Sequence, residues 1–464
     1  MEITTLNLNG AEPAPPTQSE VRWQVAMLAA IAVLALSFVA RYLFGIPLPP
    51  ELLADFIFAV LPIWLIEFGV SLLGPFAKHL AFIGCVALYL VVLIGLARLL
   101  IGVFPRHSTL TRALSSYSGG GRTGVWIGRR RVVRWMGYAV VGVAAYDIGR
   151  ALLIPWLKSG AGRVRGGSGV FPDLDGLSRE ITPTADFYDV SKNTDDPEVD
   201  VKRWKLEIGG QVENALSLTY DDIKQLPSVE QYATLECISN SVGGDLIGNA
   251  AWRGVRLKEL LDRAVLKSGI VDIVLRASDG YADSIPLDRA LADGTILAYE
   301  MNGAPLNSTH GFPLRLIVPG IYGMKNVKWI TRIEAVPYDF KGYWQARGWD
   351  DRAVYKTMSR IDVPQKTVTA DAAIAGIAFA GDRSIAKVEV STDGGKTWEP
   401  AQVKPALSPY CWVLWHKDWT GASAGAHILL VRATDAQGIV QTSQHAPPIP
   451  DGASGYDSRR VQGG

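Results

Sequence analysis

The feature that most constrains this chain is a set of apolar runs crowded into its first third. Val25–Phe44, Leu52–Leu73 and Leu80–Val103 are each close to the ~20 residues that carry a helix across the hydrocarbon core of a bilayer. Pro47, Pro49 and Pro50 close the first run, and Gly74 and Pro75 close the second. A fourth run, Val132–Leu157, is interrupted by Asp147 and Arg150, so it spans only with those charges snorkelling to an interface. The expectation is a membrane domain of about four helices over residues 23–157, preceded by a polar, Pro-rich tail at 1–22 that reads as disordered.

Charge placement orients this block. Arg106, Arg112, Arg122, Arg129, Arg130, Arg131 and Arg134 lie between the third and fourth runs, whereas the other two loops carry little more than Arg41 and Lys78. By the positive-inside rule the Arg-rich loop is cytoplasmic, and four spans place everything after residue 158 outside the cytoplasm. The arginines from Arg129 to Arg134, followed by a short Gly- and Ala-rich apolar run, resemble a twin-arginine export signal. The alternative is that they only set topology. Whether the fourth run spans or is cleaved stays open. Glu67 and His79 fall toward the outer face; an intramembrane carboxylate is a functional candidate by default, but Glu67 is close enough to the interface that simple snorkelling is the better account. His107 falls on the opposite side from His79, so no haem is expected.

Beyond a basic, Gly-rich linker at 158–180, the pattern turns to short period-two segments such as Trp204–Ile208, Ile273–Arg276 and Leu314–Val318, with one clear helix at Leu257–Ala264. This predicts a mixed α+β domain over 181–358. A net charge of +1 and the lack of a basic stripe argue against nucleic acid, and neither a P-loop nor a GxGxxG motif is present. Ile385–Val390, Trp412–Trp415 and His427–Arg432 then predict an immunoglobulin-like β-sandwich over 359–450, with a tail at 451–464. The three cysteines, Cys85, Cys237 and Cys411, lack metal-type spacing, and pairing of Cys237 with Cys411 stays open.

The chemistry-bearing stretch is Thr234–Gly248, TLECISNSVGGDLIG, where an apolar, strand-like approach ends on Cys237 and runs into a Gly-Gly loop. A lone cysteine is usually a small buried hydrophobe. Downstream, however, His310 and Arg315 flank Pro313, and Lys325 and Lys328 follow in GMKNVKW. An imidazole, a guanidinium and two ammonium groups converging on one loop suit a phosphate or another polyanion; the alternative is a solvated basic face.

TLECISNSVGG, SIPLDRAL at Ser284–Leu291, LAYEMNG, HGFPLRLIVPG and NVKW occur in the order and at the spacings of the sulfite oxidase family of molybdopterin enzymes, and the chain resembles a membrane-anchored bacterial type. IAKVEVSTDGGKTW resembles that family's C-terminal dimerisation domain. The resemblance implies molybdenum-molybdopterin with Cys237 as thiolate ligand. It implies cofactor contacts from Asn240, His310, Arg315, Asn326, Val327 and Lys328, with Asp279 an acid nearby. It also implies a cytochrome or quinone redox partner and a homodimer through the last domain. A soft thiolate suits a metal that also binds dithiolene sulfur, and the implied chemistry is oxygen-atom transfer.

Three positions depart from the family pattern. The loop Ile238–Gly244 has no arginine after the metal cysteine, Asp189–Asn193 replaces an Arg-Asn-His segment and leaves Lys192 as the nearest cation, and Trp349 stands where a tyrosine is expected. Each lost charge-assisted contact is worth about 1.5–3 kcal/mol, which weighs against sulfite; Arg347 or Lys192 is the candidate compensating cation. The expectation is a plasma (inner) membrane enzyme with an extracytoplasmic catalytic domain, acting on a small sulfur- or nitrogen-containing substrate. Two alternatives stand: a sulfoxide reductase-like activity fed by membrane quinol, and a non-catalytic membrane-tethered binding protein.

Overall fold

A computed structural model of the chain describes residues 171, 174–193, 196–369, 371–420 and 422–464, the helix Phe76–Val103, and scattered positions between 26 and 53. The chain divides into two units, Met1–Ala161 and Gly162–Gly464. In the first, Phe76–Val103 (α1) is a 28-residue helix that contains the third apolar run. Among the described residues, whose side chains in α1 run unbroken only over 83–96, no helix is long and apolar enough to cross a membrane. The tail at 1–22, most of the first two apolar runs, Glu67, the fourth run, the arginines at 129–134 and the linker up to 170 lie outside the described residues, as does the side chain of His79.

The second unit opens with ten strands. In chain order they are β1 (Lys205–Gly210), β2 (Leu216–Thr219), β3 (Val229–Glu236), β4 (Ile247–Arg256), β5 (Asp272–Ala277), β6 (Ala282–Pro286), β7 (Ile296–Met301), β8 (Ala304–Pro305), β9 (Arg315–Ile317) and β10 (Ile330–Val336). They form two sheets, β2-β1-β10-β5-β6 and β3-β4-β7-β8 with β9 on β7. Only β1 and β10 among these pair in parallel, so the mixed α+β expectation holds. Alternation does the sorting: Leu206 and Ile208 of β1 are buried while Lys205 and Glu207 are exposed.

Short helices decorate the sheets. Tyr220–Gln225 (α2) starts on a capping box in which Thr219 and Asp222 satisfy each other's backbone N–H groups. Leu257–Ala264 (α3) lies at the expected boundaries. It buries Leu257, Leu260, Leu261 and Ala264 at helical spacing, each Leu contributing about 1.5–3 kcal/mol. Lys258–Asp262 and Glu259–Arg263 pairs face solvent, and Val265 ends the helix at φ 55°.

The sandwich follows, with β11 (Met358–Val363), β12 (Thr367–Val368), β13 (Asp371–Phe379), β14 (Ile385–Ser391), β15 (Glu399–Pro400), β16 (Gln402–Val403), β17 (Val413–Thr420), β18 (Gly425–Asp435) and β19 (Asp457–Gly463). The sheets β11-β13-β17-β16 and β12-β19-β18-β14-β15 close on Trp415, Ile374, Leu429, Val431 and Val461. Residues 451–464 are therefore not a tail. β19 pairs with β18 along seven residues, Gly425↔Gly463 to Val431↔Asp457, and buries Val461. The last stretch of the expected linker is also structural: Ser178 N–H donates to Asp362 Oδ2 at 3.0 Å, and the Glu180 carbonyl accepts from Asn249 Nδ2 at 2.7 Å.

The sandwich braces the strand that carries Cys237. Thr234 N–H donates to the Tyr410 carbonyl at 3.0 Å, Trp412 N–H to Thr234 Oγ1 at 2.9 Å, and Arg360 Nη1 to the Gly244 carbonyl at 2.7 Å.

Candidate active site

Cys237 leaves the end of β3 and enters a loop whose return is tied at once, its N–H donating to the Leu246 carbonyl at 2.9 Å. Asn240 holds that loop. Its Nδ2 donates to Glu236 Oε1 at 2.9 Å and its Oδ1 accepts from Leu246 N–H at 3.0 Å. Cys237 itself is buried and free, as is Cys411, so no disulfide joins them. It lines a cleft enclosing about 780 Å³, open solvent included. Burial pushes its thiol up, opposed by hydrogen bonding from Ser239 and the charge of Lys328.

His310, Arg315 and Lys328 line the same cleft. Gly311 makes their convergence possible. At φ 103°, a Cβ there would meet Lys328 Cβ at 3.0 Å and Arg315 Cβ at 3.1 Å. His310 Nε2 lies 2.9 Å from the Thr184 carbonyl, so that nitrogen carries the ring proton. Burial, reinforced by Arg315, lowers the imidazole to about 4 and leaves it neutral near pH 7.

Arg315 is buried, donates from Nη1 to the His310 carbonyl at 3.1 Å and sits 5.0 Å from the Trp252 ring. Its Nε has no partner, and among the described residues it pairs with no carboxylate. Burial lowers it to about 10. Lys328, by contrast, is paired, with Nζ at 2.9 Å from Asp189 Oδ1 and 3.0 Å from the Thr309 carbonyl.

A second cluster lining the cleft contains Lys192, Asp279 and Tyr281. Lys192 Nζ donates to Asn193 Oδ1 at 2.9 Å and to the Asp279 carbonyl at 3.0 Å, and lies 3.8 Å from Asp279 Oδ2. Trp349 stacks on Trp344 at 4.3 Å and 15°, and both rings line the cleft. The turn between them closes at Gly348, φ 90°.

Several expected site residues stand elsewhere. Arg347 does not line the cleft; its guanidinium lies on the Tyr343 ring at 3.7 Å and donates to the Tyr343 carbonyl at 2.6 Å. Asn240 does not line it either, both ends of its amide being spent on the loop. Asn326 and Val327 do line it, but the Asn326 amide is used internally, accepting from Val318 N–H at 2.7 Å and donating toward the Ile321 and Tyr322 carbonyls. Lys325 does not line the cleft; it is 2% exposed and salt-bridged to Asp283 at 3.0 Å.

Sequence reasoning missed Tyr188, Tyr281 and Trp344, all cleft-lining. Trp344 carried a signal, since the second tryptophan of the YWQARGW stretch had already been singled out. Tyr188 carried none, because its placement depends on Gly323, where a Cβ would come within 2.5 Å of the Tyr188 hydroxyl.

The residues fit a large polyanionic cofactor bound through sulfur. A buried thiol and a buried guanidinium with an unpartnered Nε face one cleft, beside a neutral imidazole and a paired lysine. A dithiolene-bearing pterin with a phosphate matches that donor set.

Comparison with known proteins agrees. Residues 193–344 match the oxidoreductase molybdopterin binding domain, and residues 351–448 match the Mo-co oxidoreductase dimerisation domain. Sulfite oxidase from Gallus gallus is 30% identical over 324 residues, covering 58% of this chain and 70% of that protein. The chain belongs to the sulfite oxidase family. An uncharacterized oxidoreductase, YuiH, from Bacillus subtilis is 33% identical over 153 residues, 33% of this chain and 75% of its own. Mitochondrial sulfite oxidase from Macaca fascicularis is 32% identical over 288 residues, covering 51% of this chain and 52% of that protein. The chain thus spans about half the length of the mitochondrial family members it matches. The sulfane dehydrogenase SoxCD structure from Paracoccus pantotrophus shares the fold, with a TM-score of 0.56 at 24% identity, over 66% of this chain and 90% of that one.

Proposed function

We propose that the protein is a molybdenum-cofactor oxidoreductase that transfers an oxygen atom to or from a small sulfur- or nitrogen-containing substrate. The observation that carries this is the buried Cys237 thiol sharing a cleft with the carboxylate-free guanidinium of Arg315. Cys237 would ligate the metal, and Arg315, with Lys328 and the neutral His310, would hold the pterin and its phosphate. When bound, the group supplies two-electron oxygen-atom transfer at molybdenum. In the oxidative direction water supplies the oxygen, and two protons and two electrons leave to a separate acceptor, a cytochrome or a quinone. Around that chemistry the Trp344–Trp349 stack walls the cleft, and Arg315, Lys328 and His310 would hold the cofactor's anionic end.

The reductive direction is the second reading, favoured by the aromatic rather than cationic wall. There the sulfur–oxygen bond of a sulfoxide breaks, a quinol delivers two electrons and two protons, and water leaves. We place the protein in the plasma (inner) membrane through its apolar runs, with the catalytic unit outside the cytoplasm and as a homodimer. Motivating this are the Arg-rich loop and the match to a dimerisation domain. Changing Arg129, Arg130 and Arg131 to Lys tests export; wild-type translocation would refute it.

Metal and pterin analysis of the purified full-length protein tests the central reading. One molybdenum and one pterin per chain are expected, with the metal lost in Cys237→Ser. Well-folded protein from a molybdopterin-producing host that contains neither would overturn it.

A further inference from the structure

We propose that this cleft selects an uncharged oxo-compound carrying an apolar or planar substituent, such as an aryl sulfoxide, in preference to a sulfur oxyanion. The inference rests on the oxygen-transfer reading and names the substrate class for it.

The charge inventory comes first. Three cations, Lys192, Arg315 and Lys328, line the cleft against two carboxylates, Asp189 and Asp279. Lys328 is engaged by Asp189 at 2.9 Å and Lys192 by Asp279 at 3.8 Å and by Asn193. Arg315 alone lacks a carboxylate, and it lies with His310, its Nη1 on the His310 carbonyl. One net positive charge therefore serves the whole cleft, and it sits where an anionic cofactor would consume it. A sulfite or sulfate ion arriving afterwards would meet only cations already paired with carboxylates, so no unpaired charge is left to draw it in.

The wall chemistry points the same way. Lining the cleft with Lys192 and Asp279 are the near-parallel rings of Trp344 and Trp349, stacked at 4.3 Å, together with Tyr281 and Met324. The Tyr281 hydroxyl is turned away from a substrate, lying 2.9 Å from both Asp283 Oδ2 and the Met324 carbonyl. What this wall offers is indole face, which recognises apolar and planar groups. The Lys192 ammonium provides one donor that an S=O or N–O oxygen can share without needing a full negative charge.

Isothermal titration of the oxidised, cofactor-loaded, full-length protein tests this without turnover, using methyl phenyl sulfoxide and sulfate as probes. The sulfoxide is expected to bind at least tenfold more tightly than sulfate. Trp349→Ala should weaken it about three- to tenfold, with molybdenum content unchanged, whereas Trp349→Phe, which keeps an aromatic face, should stay within about twofold. Sulfate binding as tightly as the sulfoxide, or a sulfoxide affinity unchanged in Trp349→Ala, would overturn the inference. Either result in molybdenum-replete protein leaves the cofactor assignment standing, so the two failures are distinguishable.

Discussion

Arg315 offers a test of whether the cleft is built for a ligand that the chain itself does not supply. Burial lowers its guanidinium from its ordinary value to about 10. At ~1.36 kcal/mol per pH unit, that is about 3 kcal/mol acting against the charged form. Replacing it with Met removes this cost. It also removes a cation–π contact with Trp252 worth ~0.5–2 kcal/mol and a charged hydrogen bond to the His310 carbonyl worth ~1.5–3 kcal/mol. These nearly cancel, so cofactor-free Arg315→Met should unfold within about 2 kcal/mol of the cofactor-free parent. Loading separates the two proteins. In the parent an anionic phosphate satisfies the guanidinium, including its unpartnered Nε. The variant forgoes that charge-assisted contact and should lose about 100-fold in cofactor affinity, the equivalent of ~3 kcal/mol. The assay compares denaturant unfolding of protein made with and without molybdopterin synthesis, alongside molybdenum and pterin content. A variant that loses more than ~3 kcal/mol when cofactor-free, yet retains the parental cofactor content, would show that Arg315 is scaffold rather than cofactor ligand.

Three further outcomes are expected. Lys325→Met should destabilise the second unit by about 3–5 kcal/mol, because it strands the fully buried Asp283 carboxylate 3.0 Å away; adding Asp283→Asn should recover part of the loss in thermal unfolding. Removing residues 451–464 should leave the sandwich unfolded or aggregated, since β18 loses its β19 partner and becomes an edge; a truncated chain with unchanged circular dichroism and melting temperature would contradict the pairing. The third outcome concerns pH. His310, lowered to about 4 from 6.5, binds its proton later in the folded state than in the unfolded one. Stability should therefore fall as pH drops from 6.5 toward 4, by up to about 3 kcal/mol. Glu236, raised by burial to about 7, acts oppositely: its folded form holds a proton that the unfolded chain releases, so stability falls as pH rises from 4.5 to 7. The His310 contribution is accordingly read as the difference between the cofactor-free parent and His310→Gln; parallel stability profiles would refute it.

How much of this was legible in the residues varied with what each reading depended on. Helix α3 was fully legible because four apolar side chains at helical spacing and two i,i+4 ion pairs all specify one element. Cys237, His310, Arg315 and Lys328 were legible as a set. Strand β19 was not, because its alternation is carried by a single large apolar side chain, Val461, while the inward-facing Asp457 is satisfied by the Ile361 N–H at 2.8 Å. A buried carboxylate in a strand looks like a solvated one until its donor is known.

The same limit governs the site itself. Lys325 and Lys328 stand three residues apart in one basic stretch, and residue type alone assigns both to the cleft. The 3-10 turn Gly323–Lys325 directs the first into Asp283 and Asp351, and leaves the second beside Asp189. Arg347 is withdrawn in the same way by Tyr343. Counting cations in the sequence thus describes a site for an oxyanion. Counting their partners leaves, among the residues that line the cleft, one carboxylate-free guanidinium, Arg315, and that one lies against His310. Long-range pairing therefore sets the selectivity of this cleft: whatever reaches the tryptophan stack after the cofactor is bound must be recognised by its shape and its apolar surface, with almost no help from charge.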